Sequence, residues 1–247
     1  MKEIFFSFIL FYDIIVIGDF MKKSLKIILL ILVLVLSVGC TNKDALKFKE
    51  DYESLNGKTN QNNKEYRTIT IDKDNPFVYS SLKEINNKIS KKDTFIVYFG
   101  ANWCPWCRSM LPTAIKEAKE KGIKKIYYID VRPDNDMEKD IRDAYDINDK
   151  NEIYLSHKGT EEYHKFIKTA DSILNEYSSH GVEVKGTKYE GQKRVGAPSF
   201  ILIKKGKPVL LEEGISDKLT DPYMDLTDEI IKDMTNKFDS LYDYYLK

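Results

Sequence analysis

The run Thr94–Gly100, TFIVYFG, is unbroken in its β-branched and aromatic character, and Cys104-Pro105-Trp106-Cys107 follows it almost at once. A run of that make-up suits a strand buried on both faces. The stretch after it, from Arg108 to a glycine stop at Gly122, reads as a helix. Lys124–Val131, KKIYYIDV, is a further buried strand. Strand, helix and strand in that order imply a right-handed parallel crossover. The two cysteines therefore sit where a central strand runs into a helix N-terminus.

A Cys-x-x-Cys pair serves redox chemistry, half of a zinc site or a structural link, and the spacing alone leaves all three open. The chain has three cysteines, Cys40, Cys104 and Cys107, and three histidines, His157, His164 and His180. No second Cys or His pair has metal-ligand spacing, so no metal site is expected, and the histidines are read as exposed side chains. A disulfide across two residues closes a tiny loop and removes little chain entropy, which weakens the structural reading. Redox chemistry fits the position best. At a helix start the first sulfur faces unsatisfied N–H groups, which favour its thiolate, so Cys104 is the expected nucleophile. Cys107, one turn on, is placed to attack a mixed disulfide. Pro105 suits a first helical turn because its missing N–H is not needed there. Arg108 could lower a sulfur pKa, but a solvated arginine is the plainer reading.

The N-terminus bears on compartment. Met21–Cys40, MKKSLKIILLILVLVLSVGC, has a basic start, an apolar run too short for a comfortable membrane span, and then Leu36-Ser37-Val38-Gly39-Cys40. That ending resembles the lipobox of bacterial lipoproteins, with Ser37 where leucine is usual, and implies lipidation at Cys40. Residues 1–39 are thus read as an export signal region with Met21 as the true start and residues 1–20 as a gene-model extension. Residues 40–64 are polar and read as a flexible, lipid-anchored tether. Residues 65–247 form the domain. A hydrophobic share of 42% suits a globular body, and a formal net charge of zero argues against a nucleic-acid partner.

Within the domain, Tyr66–Ile71 alternates like a strand. Val78, Leu82, Ile85 and Ile89 are spaced for a helix. Tyr163, Phe166, Ile167, Ala170, Ile173, Leu174 and Tyr177 form one stripe of an amphipathic helix. Ala197–Gly214 reads as two strands with a tight turn at Lys205-Gly206, and Ile230–Tyr245 as a closing helix.

Together these features resemble the thioredoxin superfamily, in its extracytoplasmic, membrane-anchored form. Trp103 precedes the cysteines as in the family's Trp-Cys-x-x-Cys motif. Pro112 matches the helix proline, and Gly196-Ala197-Pro198 matches the turn whose cis proline lies against the cysteines. Gly206 and Gly214 match later glycine turns. The resemblance implies an α/β thioredoxin fold, a central mixed sheet flanked by helices, here with a helical insertion of about residues 133–192 between the third core strand and the cis-Pro turn. It implies a thiol–disulfide oxidoreductase with catalytic Cys104 and Cys107 and no cofactor. Trp103, Pro105, Trp106, Ala197 and Pro198 would meet substrate. Its partners would be proteins bearing thiols or disulfides and a membrane electron donor, since the tryptophan and the lack of a large oxidase-like lobe favour reduction. A non-catalytic accessory lipoprotein that binds a transporter or secreted peptide is the alternative. One departure stands out: Tyr98 occupies the place of the family's buried aspartate.

Overall fold

The computed structural model describes residues 43–179 and 181–247. Residues 1–39, expected to be an export signal region, and Cys40 lie outside the described residues, as does His180. Among the described residues no helix is long and apolar enough to cross a membrane.

The elements in chain order are α1 (Lys43–Glu53), β1 (Phe77–Tyr79), α2 (Leu82–Ser90), β2 (Phe95–Gly100), α3 (Pro105–Glu120), β3 (Ile126–Asp130), β4 (Ala144–Ile147), β5 (Ile153–His157), α4 (Glu161–Ala170), β6 (Ser178–Ser179), β7 (Val182–Glu183), β8 (Ser199–Lys204), β9 (Lys207–Glu212) and α5 (Asp228–Leu246). Five strands form one mixed sheet in the order β1-β3-β2-β8-β9. β1 and β2 pair parallel with β3, while β8 is antiparallel to both β2 and β9. Every residue of β2 is buried, as its unbroken apolar run requires. Side chains alternate along it. Phe99 packs on Phe166 of α4, whereas Tyr98 stacks on Phe200, which meets Phe238 of α5. The α3 and α5 helices are joined by the Tyr242 hydroxyl, which donates to the carbonyl of Ala114 at 3.0 Å. Lys205 and Gly206 both adopt positive φ, 50° and 74°, the backbone that a two-residue hairpin turn demands.

Three expectations are corrected. Residues 40–64 are not a flexible tether over their described part. Lys43–Glu53 is a helix whose Ala45, Phe48 and Tyr52 are buried, with Phe48 stacked on Phe77 at 4.2 Å between ring centroids. Three apolar residues at i, i+3 and i+7 make one narrow stripe, which a polar composition hides.

Tyr66–Ile71 joins no sheet. Its Ile69 and Ile71 are buried, but side chains take the place of a neighbouring strand: Asn56 bonds both the N–H and the C=O of Ile69, at 3.1 and 2.8 Å, and Glu53 accepts from the N–H of Ile71 at 2.8 Å. The first strand is instead Phe77–Tyr79, and the helix expected from Val78 starts at Leu82 behind the N-cap Ser81.

The insertion of residues 133–192 is only partly helical. It holds α4 and two antiparallel hairpins, β4-β5 and β6-β7. The helix ends at Ala170, short of Tyr177, which is buried in a separate small cluster with Tyr145, Val182 and Val184.

Candidate active site

Cys104 is the N-cap of α3, with φ −73° and ψ 118°, and its sulfur accepts from the N–H of Cys107 at 3.3 Å. Pro105 occupies the first helical turn, and Pro112 lies within the helix. Opposite, the Ala197–Pro198 bond is cis, and the Cys104 thiol donates to the carbonyl of Ala197 at 3.2 Å. Both cysteines are free thiols, Cys104 4% exposed and Cys107 fully buried.

The two sulfurs are electrically unlike. Burial alone would raise the Cys104 thiol; hydrogen bonds from the Cys107 side chain and N–H, the Arg142 charge and the Trp106 N–H outweigh it and leave the pKa below that of an ordinary cysteine. Burial pushes the Cys107 thiol well up, and the neighbouring Cys104 adds to the rise. One sulfur is a ready nucleophile and the other stays protonated.

Beneath Cys107 the floor is built from tyrosine. Tyr98, at the position of the family's buried aspartate, is fully buried, and its hydroxyl favours the thiolate of Cys107. The Tyr52 hydroxyl of α1 lies 3.1 Å from that of Tyr98. Gly100 makes the arrangement possible, because a Cβ there would stand 2.2 Å from the Tyr98 hydroxyl oxygen. On a strand, residues i and i+2 share a face, so the Tyr98 ring lies along β2 across the glycine.

Arg108 is not a solvated helix residue. It has no exposed surface, and its guanidinium donates to the carbonyls of Arg67 (2.8 Å), Tyr52 (2.7 Å) and Asn102 (3.1 Å) and to Oδ1 of Asn56 (2.6 Å). The active-site helix thereby holds the end of α1 and the extended segment after it. That role could not be found from spacing, because three of its four partners are backbone carbonyls.

A cleft of about 540 Å³ opens in front of Cys104, lined by Trp103, Pro105, Trp106, Gly196 and Ala197 together with Arg132, Arg142, Arg194 and Glu213. It adjoins a second cleft of about 620 Å³ that shares Trp106, Ala197 and Glu213 and adds Pro198, Glu212 and Asp217. Trp103 donates its indole N–H to the carbonyl of Arg132 at 2.9 Å, and the Arg132 guanidinium sits 4.9 Å from the Trp103 ring centroid. All seven active-site residues expected from the sequence therefore gather at one place; Cys40 lies outside the described residues.

The two histidines within the described residues are not free side chains. His157 bonds the carbonyl of Asp140 at 2.7 Å, and His164 bonds the carboxylate of Asp143 at 2.9 Å. Among the described residues no group of three His, Cys, Asp or Glu could hold a metal ion.

Residues 77–178 match the family model Thioredoxin. That part of the chain is similar to thioredoxin. The matched part spans the parallel crossover and most of the insertion, and the α/β fold with its mixed sheet flanked by helices is that of thioredoxin. No curated protein matches the chain.

Proposed function

We propose that the chain is an exported, lipid-anchored thiol–disulfide oxidoreductase that acts on extracytoplasmic proteins through Cys104 and Cys107, working as a reductase. The observation that carries this reading is the opposite tuning of two sulfurs one helical turn apart, facing a cis proline turn.

The Cys104 thiolate attacks one sulfur of a substrate disulfide, forming a mixed disulfide and expelling the other sulfur as a thiolate. Cys107 loses its proton and attacks the Cys104 sulfur, which releases the second substrate thiolate. Two electrons pass to the substrate, and the chain is left with a Cys104–Cys107 disulfide. A membrane electron donor would restore the dithiol. Ala197 and Pro198 offer backbone groups to an extended substrate segment, and Trp103 and Trp106 supply an apolar rim.

Export and lipidation rest on the basic start, the apolar run and the Val38-Gly39-Cys40 ending.

The test is replacement of both cysteines by serine. The variant should lose disulfide reduction of a model protein while its stability changes little. A variant that keeps its physiological partner and phenotype would instead favour a non-catalytic accessory protein.

A further inference from the structure

The cleft wall beside Cys104 carries more positive charge than the protein neutralises. Arg132, Arg142 and Arg194 line it, with side chains 12%, 5% and 8% exposed. They converge on one carboxylate, the fully buried Asp140. Arg132 Nε and Arg142 Nη2 donate to Asp140 Oδ2 at 2.8 and 2.9 Å, and Arg142 Nε donates to Oδ1 at 2.9 Å. Arg194 Nη2 stands 3.8 Å from Oδ2, while its Nη1 donates to the carbonyl of Asp143 and the hydroxyl of Tyr177. An arginine cannot shed its proton to escape burial. One carboxylate among three guanidinium groups therefore leaves two charges largely uncompensated where water is scarce.

The remaining charges of the cleft do not offset them. Glu176 is exposed and forms no ion pair with these arginines among the described residues. Glu213 lines the same cleft but likewise forms no ion pair with these arginines among the described residues. The three arginines thus line the cleft that holds the nucleophilic sulfur, while Glu212, Asp217 and Lys237 line the adjoining one. Asp140 and Arg142 come from the insertion, which explains what that segment does for the site. The terminal nitrogens of Arg132, stacked beside Trp103, have no partner among the described residues, so one planar donor fork is left to face the cleft.

We propose that this wall is a carboxylate subsite: the thiol or disulfide on which the chain acts carries a carboxylate beside its reactive sulfur, seated on Arg132 and Arg194. The inference rests on Cys104 being the reacting sulfur, as proposed above, and names the chemical class of its substrate.

Alkylation of Cys104 in the reduced full chain tests it, with iodoacetate as the anionic probe and iodoacetamide as the neutral one. Both react through the thiolate, so the ratio of their rates cancels any change in thiolate fraction and reports the anion subsite alone. Relative to free cysteine, the ratio should be raised by about 10-fold, the scale of one charge-assisted contact in a partly open cleft. R132Q should bring the ratio most of the way back, and R132K should retain much of it. A wild-type ratio equal to that of free cysteine, or one that R132Q leaves unchanged, overturns the subsite. Alkylation involves no disulfide step, so an anion preference in a chain that fails to reduce disulfides would remove the redox reading and leave the subsite standing.

Discussion

The hydroxyls of Tyr98 and Tyr52 lie 3.1 Å apart in the floor under Cys107, one from the central strand and one from the N-terminal helix. Burial, together with the nearby sulfurs and phenols, raises both phenols well above ordinary tyrosine, so neither ionises in place of the cysteine. They can donate to a developing thiolate and polarise one another in series. The phenol floor thus stabilises the thiolate that forms at Cys107, where a carboxylate would instead take its proton.

Tyr98→Phe removes the donor to Cys107 and leaves the ring. The resolving step should slow by about 10-fold or more, so that a mixed disulfide at Cys104 accumulates in rapid-quench experiments. Attack by Cys104 itself should change little. Tyr52→Phe should give the same defect in weaker form. Equal slowing of both steps would assign the tyrosines a packing role only.

Gly100→Ala places a Cβ 2.2 Å from the Tyr98 hydroxyl oxygen and 2.3 Å from ring carbon Cζ. Overpacking of this kind costs about 1–3 kcal/mol, read as a lower urea midpoint at constant slope. Adding Tyr98→Phe should recover little, because the ring carbon still clashes.

Arg108→Met leaves the carbonyls of Tyr52, Asn102 and Arg67 without their donor inside the protein. A loss of about 3 kcal/mol is expected. Limited proteolysis should then cut first between α1 and β1, since Arg108 holds that segment against α3.

Asp140 is held near 2, because hydrogen bonds and charge from Arg142, with Arg132 adding, outweigh the burial that would raise it. An unfolded aspartate titrates near 3.9, so the folded state holds fewer protons between those values and gains about 2–3 kcal/mol above them. That stability is present above about pH 4 and is lost as the pH falls towards 2. Asp140→Asn should therefore be less stable at neutral pH, with a flatter acid limb in urea titrations across the same window.

The parallel crossover, the capping cysteine and the Lys205-Gly206 hairpin were legible because each depends on local chemistry: an unbroken apolar run, a proline after a cysteine, a glycine at positive φ. The cis-Pro turn came only from the family resemblance. Tyr98 was visible as the occupant of an acid position, but its partner Tyr52 was not. Tyr52 lies 46 positions away on a helix with a short apolar stripe in a polar segment. The docking of residues 54–71 escaped for another reason. Side chains of Asn56, Glu53 and Arg108 satisfy that backbone, and such pairing leaves no periodic trace. The arginine wall gathers residues from positions 132 to 194 through one buried aspartate, and only the folded insertion brings them together.

The central claim is that Cys104 and Cys107 form a reversible redox couple. A titration of the purified full chain in thiol redox buffers, followed by the fluorescence of Trp103 and Trp106, measures it most directly. The account predicts a single reversible two-electron transition near the about −270 mV of thioredoxin, as a reductase requires. A potential near the about −120 mV of a strong oxidase would contradict the proposed direction, and failure to cycle at all would contradict the redox function itself.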